Sequence, residues 1–151
     1  MHALVRRYIK TAVAFLVAGL AIGGWMIARR ELGGRPPDAY EVSAHTHAIF
    51  VGFVIMMIQG VALWLFPRPE KDDTRYRPAL VALAYWLLTV GTAVRVVGEL
   101  LRTTSGAGWL RWAIVLSGFS QIAGCLVFFL TMWSRIRAAG SQVREARGER
   151  F

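Results

Sequence analysis

The sequence predicts an all-α integral membrane protein, a four-helix bundle with both chain termini in the cytoplasm. Three observations carry that prediction. The chain of 151 residues is 56% hydrophobic with a mean hydropathy of +0.45, too apolar for an ordinary water-soluble domain. Its apolar residues fall into four runs, each near the roughly 20 residues that cross about 30 Å of hydrocarbon. None of the runs carries the polar stripe that a soluble bundle needs on every helix. Helices are the expected solution, because backbone polar groups in lipid must be satisfied within the segment.

The expected helices span about 8–28, 42–66, 79–101 and 109–135, making one domain over residues 1–137, followed by a polar cytoplasmic tail, 138–151. Helix 1 begins with Arg6, Arg7 and Lys10, as a secretory signal does. Its apolar stretch is long, though, and ends in Ala28-Arg29-Arg30 with no small-residue cleavage site. Within it, Gly19 and Gly23 form a small-xxx-small surface that lets another helix approach closely. Gly33-Gly34 and Pro36-Pro37 then make a turn with a stiff exit.

Asp38-Ala39-Tyr40-Glu41 has the form of a capping box, so helix 2 can start near Asp38. It runs to Pro67-Arg68-Pro69, and a short charged turn leads into helix 3. Near the far end of helix 3, Arg95 and Glu99 stand four apart and can pair, followed by Arg102. Helix 4 carries Ser117, Gly118, Gln121 and Gly124 in its middle, residues that read as tight helix packing.

Charge sets the orientation. Twelve basic residues flank one side: Arg6, Arg7 and Lys10; Arg68, Lys71, Arg75 and Arg77; Arg135, Arg137, Arg144, Arg147 and Arg150. Six flank the other: Arg29, Arg30 and Arg35; Arg95, Arg102 and Arg111. The positive-inside rule therefore places both termini in the cytoplasm of a bacterial inner membrane and starts helix 2 at the outer face. The net charge of +9 belongs to these membrane flanks and not to a nucleic-acid surface. The single Cys125 excludes an intrachain disulfide and reads as a small buried hydrophobe.

Two of the chain's three histidines, His45 and His47, lie at one depth of helix 2; the third is His2. Ionisable residues inside a bilayer are rare and mark function by default, here a buried metal or haem. His45 falls roughly 10 Å along the axis from the cap, at 1.5 Å per residue. At 100° per residue the two rings point about 200° apart, so they do not chelate one metal together. Ala48 and Gly52 leave a side-chain-poor surface below His45 against which a flat macrocycle can lie, whereas the stripe under His47 is bulky and branched. That difference favours His45 as an axial ligand. Glu41, four residues before His45, either accepts the ring proton of His45 or serves only as the capping glutamate.

Ala44-His45-Thr46-His47, with Gly52 and Gly60 seven and fifteen positions after His45 and a Pro67-Arg68 exit, resembles helix 2 of the haem–copper oxidase catalytic subunit. The likeness extends to small four-helix relatives of the C-family and NnrS type, and covers about 25 residues of helix 2. It implies a low-spin haem b on His45 near the outer face. Later helices of the full oxidase subunit add a second haem ligand and three copper-binding histidines. This chain has no histidine after His47, so it does not hold a complete haem–copper centre by itself.

A second axial ligand would come from His45 of another protomer in a homodimer, or from Met26, Met132 or His2; a five-coordinate haem is the remaining option. Arg95 and Arg102 either pair with haem propionates or serve Glu99 and lipid phosphate. The leading expectation is a haem-b-binding inner-membrane protein for electron transfer, redox sensing or haem handling, working with a respiratory-chain protein or quinol. The alternatives are a copper-binding membrane protein using His45 and His47 on different helices or subunits, and a non-catalytic accessory or assembly subunit of a respiratory complex. A small transporter is a weaker fourth, since Glu99 sits close to the membrane end and not deep in its helix.

Overall fold

A computed structural model describes residues 3–67, 77–136 and 147–148. The described residues form no strand, and four of their helices are long and apolar enough to cross a membrane. These are α1 (Ala3–Gly33), α2 (Ala39–Leu65), α3 (Pro78–Arg102) and α4 (Gly108–Met132), the last closing in a 3₁₀ turn, Trp133–Arg135. The protein is therefore a multi-pass, all-α membrane protein. The charged turn after Pro67, His2 and most of the polar tail lie outside the described residues.

Local chemistry sets the ends. Asp38 is the N-cap of α2: its side chain accepts from the Tyr40 N–H at 2.8 Å, and Glu41 accepts from the Asp38 N–H at 2.8 Å. The capping box read from the sequence is thus present, and it satisfies two backbone donors that a helix start leaves orphaned. Pro78 sits in the first turn of α3, where its missing N–H costs nothing. At the other end of α2, Arg135 reaches across to the carbonyls of Pro67 (2.8 Å), Phe66 (3.0 Å) and Leu63 (3.3 Å). The guanidinium, 4% exposed, covers carbonyls that the helix end cannot satisfy internally.

The helices run up and down, each packed on the next in sequence. The main core lies at the end where α1 begins and α4 finishes. Tyr8 is fully buried there; its ring meets Tyr85 and Phe128 edge-on, with centroids 5.1 and 6.0 Å apart, and its hydroxyl donates to the Val81 carbonyl at 3.1 Å. Beside it the hydroxyls of Thr11 and Tyr85 pair at 2.8 Å. At the opposite end the apolar core shrinks to Ala44, Ala48 and Val96. That end is where both helix-2 histidines sit.

The middle of α2 is a π-helical segment, His47–Ile55. Such wide turns are rare and change the phase of a helix relative to regular α geometry. Below it, α2 returns to α geometry over Met56–Leu65.

Candidate functional site

The His45 ring is held by α1. Its Nδ1 lies 2.8 Å from the Gly19 carbonyl oxygen. A carbonyl only accepts, so Nδ1 carries the proton and Nε2 keeps a free lone pair. This is the arrangement found behind most metal-ligating histidines, whose second nitrogen donates to a carboxylate, carbonyl or water. The ring rests on Gly23, where a Cβ would stand 2.9 Å from Cε1 and 3.1 Å from Nδ1. The Gly19–Gly23 surface expected to admit another helix therefore admits α2: Gly19 faces Ile49 and Ala48, and Gly23 faces the imidazole.

His45 borders a groove of about 710 Å³ that runs along α1 past Leu20, Gly23, Gly24, Met26 and Ile27. At its far end stand Arg30, Glu31 and Pro37, with Arg30 Nε donating to Glu31 at 2.7 Å. The volume lies within the range of cofactor and small-ligand sites, and the mix of apolar walls with a few polar groups is characteristic of them. At Gly24 a Cβ would meet nothing within 4 Å, so the groove floor is open there.

One expectation changes in this frame, and for Glu41 and the arginines the structure shows which of two partners each side chain meets. Glu41 does not orient His45: Arg29 holds both its oxygens, Nη1 donating to Oε1 at 2.6 Å and Nη2 pairing with Oε2, while Oε2 also accepts from Asp38. Glu41 serves the cap, the other role read for it, and the Gly19 carbonyl is the partner of His45 Nδ1. The surface at Ala48 and Gly52 is not free for a macrocycle either. Phe15 of α1 occupies it, and a Cβ on Gly52 would fall 2.5 Å from the Phe15 ring. Arg95 and Arg102 do not border the groove. Arg95 donates to Glu99 at 3.1 Å, and Arg102 donates to the carbonyls of Ser105 and Ala107, both at 3.3 Å.

His47 points the other way, as the 200° offset requires. Its Nδ1 donates to the Ser43 carbonyl at 2.8 Å and lies 3.6 Å from Glu99 of α3. Glu99, 2% exposed, accepts from Ser43 Oγ at 2.7 Å and from Arg95. Arg95 reaches on to Gln121 of α4, whose amide donates to Thr92 at 3.1 Å. The Arg95 guanidinium lies over Gly118, where a Cβ would stand 2.8 Å from Nη1. The small and polar middle of α4 thus packs tightly, as expected, and also carries part of a buried polar network across three helices.

The structure brings His45, Met26 and Arg30 to one groove and leaves His47, Arg95 and Arg102 elsewhere. Met132 is fully buried in the core at the opposite end. Among the described residues no group of three or more His, Cys, Asp or Glu side chains comes together to hold a metal. Reading the sequence missed Arg30 and Gly24; their spacing of seven and one from Gly23 on α1 was the available signal.

No curated protein and no solved structure matched the chain. A family model did, over residues 3–146, far beyond the stretch of α2 that carries the sequence resemblance. With four apolar helices and a ligand-ready histidine on the second, the chain belongs to the family described as Cytochrome C and Quinol oxidase polypeptide I, the haem–copper oxidase subunit I family.

Proposed function

We propose that this protein binds a b-type haem at the His45 groove in a bacterial inner membrane and acts in electron transfer, redox sensing or haem handling. It is a small four-helix member on the C-family or NnrS-like side of its family. One observation carries the reading: Nδ1 of His45 is committed to the Gly19 carbonyl at 2.8 Å, which leaves Nε2 as a free nitrogen donor at a groove of about 710 Å³. Imidazole with a fixed tautomer is an ordinary axial haem ligand.

The other lining residues fit the same group. Gly24 leaves room for a broad flat molecule, and Leu20 and Ile27 give it apolar walls. Arg30 supplies a guanidinium for a propionate. When bound, haem supplies reversible one-electron carriage; the protein's part is ligation, burial and charge pairing. A quinol or respiratory-chain protein is the electron partner, and a second copy of the chain completes the assembly. A copper site would need donors beyond this fold, because His45 and His47 face different helices.

A reduced-minus-oxidised visible spectrum of the detergent-purified protein tests the reading. The wild type and His47→Ala are expected to show a sharp α band, and His45→Ala to lose it. A wild type that stays colourless after haem supplementation overturns the proposal.

A further inference from the structure

We infer that the cofactor is shared, with one haem held between the α1 faces of two copies of this chain. His45 of each copy ligates it from opposite sides, and Arg30 of each pairs with one of its two propionates. This rests on the haem reading above and adds a partner and a stoichiometry to it.

Four observations lead there. First, the groove offers one free nitrogen ligand per chain. His47 faces α3 with Nδ1 bonded to Ser43, Met132 is sealed in the opposite core, and Met26, which also lines the groove, offers a thioether and no nitrogen. Second, the lining extends from position 20 to position 31 of α1, about 16 Å at 1.5 Å per residue. That length suits a macrocycle lying along the helix with its carboxylate edge toward Arg30.

Third, such a ring has protein on one face only. Of the four spanning helices α1 is the least enclosed, with 11% of its most apolar stretch buried against 39% for α3. Val13, Val17, Leu20 and Ile27 are exposed. With Gly24 they are spaced by alternating steps of four and three, the seam of a helix that packs against a like helix. Lipid alone accounts for exposed apolar side chains, but not for the open floor at Gly24 beside an unsatisfied ligand nitrogen. Fourth, Arg30 and Glu31 are neighbours at the rim and both exposed. Arg30 gives its Nε to Glu31 of its own chain, and its two Nη groups are donors suited to a propionate. Two copies of like orientation in one membrane are related by a two-fold axis along its normal, which sets both His45 rings at the same depth.

The test combines haem content by the pyridine haemochrome method with the protein mass of the detergent complex by light scattering. One haem per two chains, a dimeric mass and a six-coordinate low-spin spectrum are expected. One haem per chain, or a monomer with a low-spin spectrum, overturns sharing while leaving the haem reading intact; a colourless wild type removes both. Gly24→Leu supplies a variant that should fold, because a Cβ there meets nothing within 4 Å and leucine favours helix more than glycine. Its haem content is expected to fall at least tenfold with the circular dichroism unchanged, and full retention overturns the proposal. Co-expressed wild type and His45→Ala should yield mixed dimers whose haem is high-spin; a low-spin mixed dimer overturns it as well.

Discussion

A backbone carbonyl decides what His45 can do. By accepting a hydrogen bond from Nδ1–H, Gly19 fixes the tautomer and aims the ring, and Gly23 gives the ring a flat seat. Gly23→Ala should therefore disturb ligation more than folding. Its Cβ would come 2.9 Å from Cε1, so the imidazole must shift off the carbonyl. Haem affinity is expected to fall about tenfold, equivalent to about 1.4 kcal/mol, with little change in thermal midpoint; haem titration beside a melting curve checks both. Glu99 behaves oppositely. It is buried, accepts from Arg95 and Ser43, and has Oε2 without a hydrogen-bond partner among the described residues. Removing one partner of such a pair strands a charge, so Glu99→Ala should cost about 3 kcal/mol of stability, read by chemical or thermal unfolding in detergent, with the His45 spectrum retained in the folded fraction. The opposed facing of the two histidines was legible in the sequence, because two residues at 100° each fix it. The partner of Glu41 was not, since it depends on where the turn sets Arg29 against α2.

At the scale of the element, the four spans and the capping box of α2 followed from apolar run length and from Asp38 and Glu41. The π segment did not. After His47 the segment to Ile55 is apolar on every side, so its sequence carries no phase that distinguishes a wide turn from a regular one. The wide turn holds Gly52, whose backbone lies against Phe15 of α1. It also yields a sharp test. The lower half of α2 is anchored by Arg135 on its last carbonyls and by Gly60 against Tyr8 and Ile9, while the upper half is anchored by the Arg29–Glu41 pair. Deleting Phe50, whose side chain is exposed, should convert the wide turn to α geometry and turn the two halves by about 100° relative to each other. His45 would then leave Gly19. The expected result is a protein with full helical circular dichroism and no bound haem, and retention of the haem would show that the π turn does not position the ligand.

The whole molecule is asymmetric along its long axis. One end is locked by Tyr8, Tyr85, Phe128 and Arg135; the other has a core of two alanines and a valine, a polar network and the groove. The positive-inside rule, applied to the twelve-to-six split of Arg and Lys along the sequence, gives an orientation that can be tested. The orientation expected from it puts the groove at the outer face and both termini in the cytoplasm. Cysteine accessibility in intact cells tests the orientation in a Cys125→Ala background. Arg35→Cys, in the exposed turn between α1 and α2, removes a basic residue from the side expected to face outward and so does not work against the orientation it reports. It should react with a membrane-impermeant maleimide, whereas Ser141→Cys in the tail should react only after permeabilisation. The reverse pattern would invert the topology and put the His45 groove at the cytoplasmic face, where its electron partner would have to be a cytoplasmic one.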